Sequence, residues 1–444
     1  MKTKDEFKKI ISKSFWDHIR KYSLIPVEEA IERDKFCDQL YEELCARTYH
    51  PSLPREYVIA DRHNGSTRLI PVFTVKDNCV YYFCVKSLED YLAEGYVDCT
   101  FGGFRLSGKV KEREEDLFNE INAVPFSISP FSYNRTAWVE AWGDFQSKAF
   151  KISREGSLGY FIIFDIANFY SSINLSLLEN RIRNCADKSL SDEIDLLFYF
   201  LRYWDRKLSF YSPKTVGIPM DDFGDGSRLL ANFFLQSYDK KVFSFCQENS
   251  SKYLRYSDDQ IILAPDRETA IKILRFASLE LSRVGLNINS GKIKHLENRV
   301  DFEKYWAFEI FEKLQDKNDT GKIGEAVKEY FLQDKSKIKW FSIFKKIINC
   351  NIAALPIDLK SKIFSEIFDE NFITSCDHRY LVRLYKILES DEDKKRYMEF
   401  LKDIAQRYLY TRFHYYLLLA KMNGLPVDFE GEIIDRIDKL KFII

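Results

Sequence analysis

Two adjacent aspartates interrupt an apolar run near the middle of the chain. In the segment LRYSDDQIIL, residues 254–263, Asp258 and Asp259 lie between Leu254 and three further apolar residues, a composition that favours a buried strand. An unpaired carboxylate in an apolar interior is costly or becomes protonated, and two neighbouring carboxylates also repel each other. A divalent cation would remove both penalties, and hard oxygen ligands select Mg²⁺ or Mn²⁺.

A hairpin with two carboxylates at its tip offers too few ligands, so a third carboxylate is expected on a neighbouring strand. Asp165 meets this expectation, because it directly follows the four apolar residues FIIF at 161–164. Two metal ions about 3.5–4 Å apart, bridged by such aspartates, stabilise the attacking and leaving oxygens of an in-line phosphoryl transfer. The tripeptide SDD alone is more typical of an ordinary turn. Together with Asp165 it predicts a two-metal site for a nucleoside triphosphate.

The elements that must position these residues alternate between strands and helices. A run of β-rich residues around Asn-Gly at 55–75 predicts a hairpin, and GYFIIFDIANFY at 159–170 predicts a strand. Helical patterns lie on both sides of the strand predicted at 254–263. After about residue 303 the strand patterns fade and only helical periodicity continues. The sequence therefore predicts an α+β fold followed by an all-α domain.

Composition limits the class of protein. The chain has 444 residues, 45% of them hydrophobic and 30% charged, with a net charge of −1, which is typical of a globular protein of two or three domains. A nucleic-acid partner would therefore need a local basic groove. Nine cysteines without a CxxC pair predict reduced thiols in a cytoplasmic protein and disfavour zinc. The charged N-terminus and the absence of an apolar run of about 18 residues predict neither a signal peptide nor a membrane span.

Four ordered motifs resemble those of reverse transcriptases. YSDD at 256–259 is similar to their YxDD box, and FDIANFYSSI at 164–173 resembles their first palm motif, FDIxxFFxSI. GIP at 217–219 with SRLLAN at 227–232 resembles the motif between these two. LSRVGLNINSGK at 281–292 resembles the segment LxxxGLxINxxK that follows YxDD. The residues of these motifs are most similar to those of prokaryotic defence enzymes of the abortive-infection and unknown-group type. They resemble retron reverse transcriptases more distantly.

This resemblance implies the fold of a right-hand polymerase. Residues 1–125 would form N-terminal helices and the fingers. Residues 126–302 would form the palm, an antiparallel sheet with helices that carries the catalytic motifs. Residues 303–444 would form an all-helical domain in the position of the thumb.

The resemblance also implies roles for the acidic and aromatic residues. Asp165 and Asp258 would bridge two Mg²⁺ ions, with Mn²⁺ as a substitute, while Asp259 supports them. Tyr170 matches the steric gate whose ring excludes a ribose 2′-hydroxyl, although an ordinary core aromatic is the simpler alternative. Tyr256 would lie near the primer end.

Three basic residues would contact the nucleotide by the same resemblance. Lys292 resembles the cation near the leaving pyrophosphate, with a solvated surface lysine as the alternative. Arg62 and Arg68 flank the turn HNGST, which resembles the fingers hairpin that binds a triphosphate. A basic groove for nucleic acid is expected from these residues together with Lys76, Lys109 and Lys111.

One segment departs from the family pattern. Between GIP and SRLLAN the family has a short link that contains glycine, whereas this chain has the longer and acidic MDDFGDG, residues 220–226. Because that loop faces the template in the family, Asp221, Asp222 and Asp225 would repel phosphates unless they contact protein or metal. Solvated loop charges are the simpler interpretation of Asp221 and Asp222.

By this resemblance the chain would be an RNA-directed DNA polymerase of reverse-transcriptase type that acts in bacterial antiphage defence. Its partners would be deoxynucleoside triphosphates, an RNA template such as a dedicated noncoding RNA, and the DNA product, with no membrane; a homo-oligomer is left open. Three alternatives remain: template-independent synthesis primed by a protein tyrosine, a catalytically inactive RNA-binding scaffold, and an RNA-dependent RNA polymerase. The last is disfavoured by Tyr170 and by YxDD. For protein priming the candidates are four C-terminal tyrosines, whose spacing fits an aromatic helix core better: Tyr408, Tyr410, Tyr415 and Tyr416.

Overall fold

The protein has a mixed α+β fold that is mostly helical and contains one larger sheet, which confirms the predicted class. The structure is a computed structural model that describes residues 1–21, 23–27, 31–61, 66–102, 106, 137–206, 208, 210–220 and 225–441. It divides into two compact units. The first unit comprises Met1–Glu56 and Pro71–Phe302, and the second comprises Tyr57–Ile70 and Glu303–Ile444.

The elements up to the last strand follow one another in the order α1 (Lys4–Ile10), α2 (Lys13–Lys21), α3 (Arg33–Cys45), β1 (Glu56–Asp61), β2 (Thr67–Val72), α4 (Val75–Ala93), β3 (Thr100–Phe101), α5 (Ala137–Ser153), β4 (Tyr160–Phe164), α6 (Phe169–Ser172), α7 (Leu175–Cys185), α8 (Ser191–Tyr203), α9 (Asp225–Glu248), β5 (Lys252–Tyr256), β6 (Asp259–Ala264), α10 (Arg267–Ser282) and β7 (Lys294–Leu296). The described part of the chain beyond Leu296 is helical: α11 (Arg299–Trp306), α12 (Phe308–Lys313), α13 (Thr320–Leu332), α14 (Trp340–Ile348), α15 (Ile357–Ile367), α16 (Glu370–Thr374), α17 (His378–Ile387), α18 (Asp391–Arg407), α19 (Thr411–Met422) and α20 (Glu430–Lys441).

A five-stranded sheet forms the centre of the first unit. Its strand order is β3-β5-β6-β4-β7, and every pair is antiparallel except β3 with β5. All five residues of β4 are buried, as expected for a run of aromatic and β-branched residues covered on both faces. The predicted antiparallel sheet is thus present. Its parallel edge strand β3 has two residues, too few to leave a periodic pattern in the sequence.

Helices on the sheet fix its central strands. Helix α9 packs on β5, and α10 packs on β6 and β4. Helix α5 packs on β3 and β5, where Phe145 lies 5.8 Å from Phe101 between ring centroids. Because the sheet is covered in this way, the ends of β4, β5 and β6 have little freedom to move apart.

The second unit joins a hairpin to the C-terminal helices. The predicted hairpin is present as β1 and β2, and Ile59 of β1 is buried in one cluster with Tyr410 and Leu440. The Ile59 amide donates a hydrogen bond to the Thr411 hydroxyl at 2.8 Å, although the two residues are 352 positions apart. The hairpin therefore groups with the helical C-terminal part, whereas the sequence assigns it to fingers within residues 1–125. The division into fingers, palm and thumb stays a prediction.

The C-terminal tyrosines lie mostly inside this unit. Tyr410 and Tyr415 are buried, and Tyr408 and Tyr416 are half-buried. The Tyr408 hydroxyl donates a hydrogen bond to Asp61 Oδ2 at 2.9 Å, and its ring centroid lies 4.8 Å from that of Tyr410. These contacts favour the aromatic helix core.

Most of the cysteines are packing residues. None of the nine forms a disulfide bond, and seven of them are buried. Burial raises the pKa of Cys37 to about 11 and those of Cys246 and Cys376 to about 12, so these groups stay as thiols at neutral pH. None of the helices that the structure describes is long and apolar enough to cross a membrane.

Candidate active site

Asp165 lies at the end of β4 and is held there by the chain that follows α10. The backbone carbonyl of Asp165 accepts a hydrogen bond from the Asn289 amide at 2.9 Å, and the Ala167 amide donates to the Asn287 carbonyl at 2.8 Å. Asp165 is 8% exposed, so its carboxylate is nearly enclosed. The first palm motif and the segment that follows YxDD thus meet at this strand end.

Asp258 and Asp259 lie at the turn between β5 and β6. Tyr256 pairs with Asp259, so Ser257 and Asp258 form the tip of a tight hairpin, with Ser257 at φ 54°, a region that favours glycine. Both aspartates are partly buried. The register of β4 against β6 pairs Phe164 with Gln260, and one further step sets Asp165 opposite Asp259. The acidic residues of the two motifs therefore lie next to each other, where β4 ends and β6 begins.

The hairpin has two different faces because side chains alternate along a strand. We call the face that carries Tyr253, Arg255 and Gln260 the α9 face, because their hydrogen bonds reach helix α9. The opposite face carries Tyr256 and Asp259, and we call it the aspartate face. The register assigns Asp165 to the aspartate face.

Lys292 occupies one side of the Asp165 carboxylate. Its Nζ lies 2.7 Å from Asp165 Oδ2, and its side chain is 66% exposed. The other oxygen, Oδ1, is buried and has no hydrogen-bond partner among the residues that the structure describes. A buried anionic oxygen without a partner is costly, so this atom suits a cation that is supplied from outside the chain.

The donor set fits a hard divalent cation in its chemistry. Asp165, Asp258 and Asp259 offer only carboxylate oxygens, which Mg²⁺ and Mn²⁺ prefer. The described residues nevertheless contain no group of three or more His, Cys, Asp or Glu side chains close enough to hold a metal ion. The ammonium of Lys292 satisfies part of the charge of Asp165 in this arrangement. The predicted metal ligands thus lie at the same end of neighbouring strands, but they do not form a closed cluster.

Tyr170 is fixed by the GIP segment. It lies half-buried in α6, its carbonyl accepts a hydrogen bond from the Ile218 amide at 2.9 Å, and the Gly217 amide donates to Ile173 at 2.8 Å. Gly217 has φ 91°, and a Cβ there would lie 3.1 Å from the Ser171 carbonyl oxygen. Glycine is therefore required for this close approach. The structure brings the first palm motif and the GIP motif together, while the steric-gate role of Tyr170 stays a prediction.

Tyr256 packs against aromatic residues of α5. Its ring centroid lies 4.9 Å from that of Trp142, at a nearly perpendicular angle, and 6.0 Å from that of Phe145. Gly102 approaches the same ring so closely that a Cβ would lie 2.8 Å from Tyr256 Cε2. The tyrosine is partly buried, so its contact with a primer stays a prediction.

The contacts of the described residues do not link the remaining predicted basic residues into one site. Arg68 is a half-buried residue of β2 in the second unit, and Arg62 lies outside the described residues. Lys76 forms an ion pair with Glu43 at 2.8 Å. Lys109, Lys111 and the acidic residues Asp221 and Asp222 also lie outside the described residues, and Asp225 begins α9.

Sequence reasoning missed the ion pair beneath the turn. Arg255 is fully buried, and its guanidinium forms a two-pronged ion pair with Asp239 of α9, with Nε–Oδ1 at 2.7 Å and Nη2–Oδ2 at 2.6 Å. Burial alone would lower the pKa of Arg255, but the Asp239 carboxylate raises it above its ordinary value. The sequence does contain one signal for this ion pair. Arg255 is a charged residue within the strand KYLRY, at a position whose side chain lies on the face opposite Tyr256.

Comparisons with known proteins give one sequence match. The chain is 29% identical over 112 residues to the retron Ec83 reverse transcriptase of Escherichia coli, a match that covers 24% of this chain and 33% of that protein. No family model matches. Among solved structures, apo telomerase from Candida tropicalis aligns with 92% of this chain and 72% of its own, at 13% identity and a TM-score of 0.34.

A second solved structure is telomerase from Candida albicans in complex with a fragment of telomeric RNA. It aligns with 66% of this chain and 49% of its own, at 12% identity and a TM-score of 0.27. The similarity to known proteins therefore rests on the sequence match. Over about a quarter of its length, this chain is similar to a reverse transcriptase.

Proposed function

We propose that this chain is a nucleotidyltransferase of reverse-transcriptase type, an RNA-directed DNA polymerase. The observation that carries the proposal is the position of Asp165 at the end of β4, in register with the start of β6. One of its carboxylate oxygens is buried and has no hydrogen-bond partner in the described part of the chain. The sequence similarity to a retron reverse transcriptase supports the same class.

Asp165, Asp258 and Asp259 would hold two Mg²⁺ ions, or Mn²⁺ in their place. Bound metal supplies charge stabilisation for the phosphoryl oxygens of a triphosphate and lowers the cost of generating the attacking alkoxide. The carboxylates of this chain supply the negative charge that retains the metal. The unpartnered Oδ1 of Asp165 supports this assignment.

Lys292 contributes a positive charge beside the same carboxylate. Its side chain is mostly exposed, so the ammonium can leave Asp165 Oδ2 for a phosphate oxygen without a large desolvation cost. A cation at that place would neutralise charge that develops on the leaving pyrophosphate. The resemblance of HNGST to a triphosphate-binding turn is the support for Arg62 and Arg68 as nucleotide-binding residues.

Tyr170 would select the sugar. The backbone bonds from Ile218 and Gly217 restrict the position of α6, so an aromatic ring at residue 170 has a defined place. A ring below the sugar leaves no room for a 2′-hydroxyl, which favours deoxynucleotides. Tyr256, packed by Trp142 and Phe145, would support the primer end.

The biological setting follows from the resemblance of the GIP and SRLLAN motifs to abortive-infection enzymes. We propose that the protein acts in the bacterial cytoplasm in antiphage defence, copying an RNA template such as a dedicated noncoding RNA into DNA. Synthesis without a template, primed from a protein tyrosine, is the second candidate. The burial of Tyr410 and Tyr415 argues against these two residues as primers.

An incorporation assay on the full chain tests the proposal. The protein is incubated with labelled deoxynucleoside triphosphates and Mg²⁺, with and without an RNA template annealed to a DNA primer. We expect extension that requires both template and divalent metal, and its loss in Asp165→Asn. Asp391→Asn is the matched control, because Asp391 is an exposed aspartate in the first turn of α18.

Two other results would redirect the proposal. A product that forms without added nucleic acid and stays attached to protein until protease digestion would favour protein-primed synthesis. A wild-type protein that binds RNA but incorporates no nucleotide with Mg²⁺ or Mn²⁺ would favour the inactive scaffold.

A further inference from the structure

We propose that Arg255 is a positioning residue that sets the geometry of the Ser257–Asp258 turn from the α9 face of the hairpin. This inference rests on the proposed function, because it assigns the purpose of the turn to holding metal-binding carboxylates. It adds to the active site a buried group that contacts neither metal nor nucleotide. Asp239 and Asn232 of α9 orient this group.

The contacts of Arg255 join the turn to helix α9. Guanidinium Nη1 donates to the Ser257 carbonyl at 2.8 Å and to Asn232 Oδ1 at 2.7 Å. Nε and Nη2 donate to the two oxygens of Asp239. Each of the three guanidinium nitrogens is therefore engaged, and one of the acceptors is the backbone of the YSDD motif itself.

Arg255 acts through the backbone because its side chain cannot reach the reaction. It is fully buried, and strand alternation directs it away from the face of Tyr256 and Asp259. The bond to Ser257 is charge-assisted, and it restrains a residue that has the left-handed φ of 54°. Holding this carbonyl fixes the peptide that leads directly into Asp258.

The groups around Arg255 are themselves held in place. Asp239 Oδ1 accepts a second hydrogen bond from the Tyr253 hydroxyl at 3.1 Å, and Asn232 Nδ2 donates to the Gly102 carbonyl at 2.5 Å. Asp239 and Asn232 are both nearly inaccessible to solvent. The guanidinium thus has one available orientation, set by α9 and by the end of β3.

Stability alone is a weak explanation for this ion pair. A buried pair is often replaced by apolar residues of similar size without loss of stability, so a charged group is not needed to fill the space. An apolar side chain would, however, leave the Ser257 carbonyl without its donor. The geometry points to orientation of the turn as the role of the charge.

The test removes both charges together, so that no buried charge is left unpaired. In the full chain, Arg255→Met with Asp239→Leu should still fold and should lose less stability than Arg255→Met alone, which leaves the Asp239 carboxylate buried and unpaired. We expect its kcat to fall, and its dissociation constant for Mn²⁺ to rise, by roughly 10–100-fold, as is typical when the groups that orient metal ligands are lost. The KM for the nucleotide should change little. Mn²⁺ binding is followed by electron paramagnetic resonance without nucleotide or template.

The matched control is a second ion pair that is buried within the described part of the first unit, Lys86 with Glu89 in α4. Lys86→Met with Glu89→Leu removes equal charges from a helix that does not carry the turn or its ion pair, and should leave the Mn²⁺ affinity unchanged. A purely structural role of Arg255 would alter the unfolding temperature but not the Mn²⁺ affinity of the folded protein.

The outcomes separate this inference from the proposed function. Wild-type kcat and wild-type Mn²⁺ affinity in the Met/Leu variant would overturn the inference while the polymerase assignment stands. A wild-type protein that incorporates no nucleotide would contradict the assignment, and the Mn²⁺ titration still decides the role of Arg255. If the double variant does not fold, Arg255→Lys keeps the charge but lacks the fork that reaches Ser257. Unchanged Mn²⁺ affinity in folded Arg255→Lys would likewise overturn the inference.

Discussion

Buried charged groups are fully paired on one face of the β5–β6 hairpin and only partly paired on the other. On the α9 face, Arg255 and Asp239 are nearly inaccessible to solvent and satisfy each other in a two-pronged ion pair. On the aspartate face, Asp165 keeps a buried oxygen that has no hydrogen-bond partner among the described residues, and its counter-ion Lys292 is mostly exposed. A fully paired charge suits a rigid support, whereas a partly paired charge can accept a metal ion or a substrate.

This difference predicts which charges matter for folding and which for activity. A charge on the α9 face has no solvent to replace its partner, so removing one member should destabilise the fold. A charge on the aspartate face exchanges partners during the proposed reaction, so its loss should act on catalysis.

The largest effect is expected on the aspartate face. Asp258→Ala with Asp259→Ala should reduce nucleotide incorporation by at least about a thousandfold, because metal contributes several kcal/mol of charge stabilisation. Without divalent metal the thermal stability should hold or rise, since the repulsion between the carboxylates is removed. Single-turnover incorporation and thermal unfolding in a chelator measure the two effects. The control is Asp391→Ala with Glu392→Ala, an exposed adjacent pair in α18; wild-type incorporation in the Asp258 and Asp259 double variant would contradict the site.

The second effect concerns stability on the α9 face. Asp239→Asn leaves the guanidinium of Arg255 buried without a counter-charge, which should lower the free energy of unfolding by about 3–5 kcal/mol. Urea unfolding followed by circular dichroism measures this loss. Asp187→Asn is a suitable control, because Asp187 is exposed and only caps a short turn. A loss below about 1 kcal/mol for Asp239→Asn would remove the contrast between the two faces.

The third effect concerns sugar selection. Tyr170→Ala should lower the preference for deoxynucleotides over ribonucleotides by about 10–100-fold, because steric size in a pocket discriminates by amounts of this order. The ratio of kcat/KM for the two sugars is the measurement, and Tyr170→Phe is the control because it keeps the ring. An unchanged ratio in Tyr170→Ala would identify Tyr170 as a packing residue and revive the RNA-polymerase alternative.

The smallest effect on stability is expected for Lys292. Its ion pair with Asp165 is mostly exposed on the lysine side, so Lys292→Met should change the free energy of unfolding by less than about 1 kcal/mol. Mn²⁺ should bind at least as tightly as in the wild type, because a competing cation has been removed from Asp165, while kcat falls. Calorimetry and a Mn²⁺ titration measure these effects. Weaker Mn²⁺ binding in Lys292→Met would show that the lysine supports the carboxylate and does not compete at it.

The acidic residues at the strand ends were recognisable in the sequence, whereas the ion pair beneath their turn was not. Asp258 and Asp259 were recognisable because adjacent carboxylates conflict with the apolar residues around them. Arg255, only three positions from Asp258, was passed over, since its meaning depends on Asp239 and Asn232 on another element. The hairpin β1–β2 was predicted from its Asn-Gly turn, but its grouping with the C-terminal helices was not.

The sequence by itself determined the local elements and the chemistry of the strand ends. Apolar runs specify strands such as β4, and a carboxylate directly after such a run must lie at its end, because these properties depend on neighbours along the chain. Only the tertiary structure decided which groups meet there: Lys292 contacts Asp165 across 127 positions, and Arg255 contacts α9. The physical reason is that long-range contacts depend on how whole elements pack, and that packing leaves no periodic signal in the residues that make the contact.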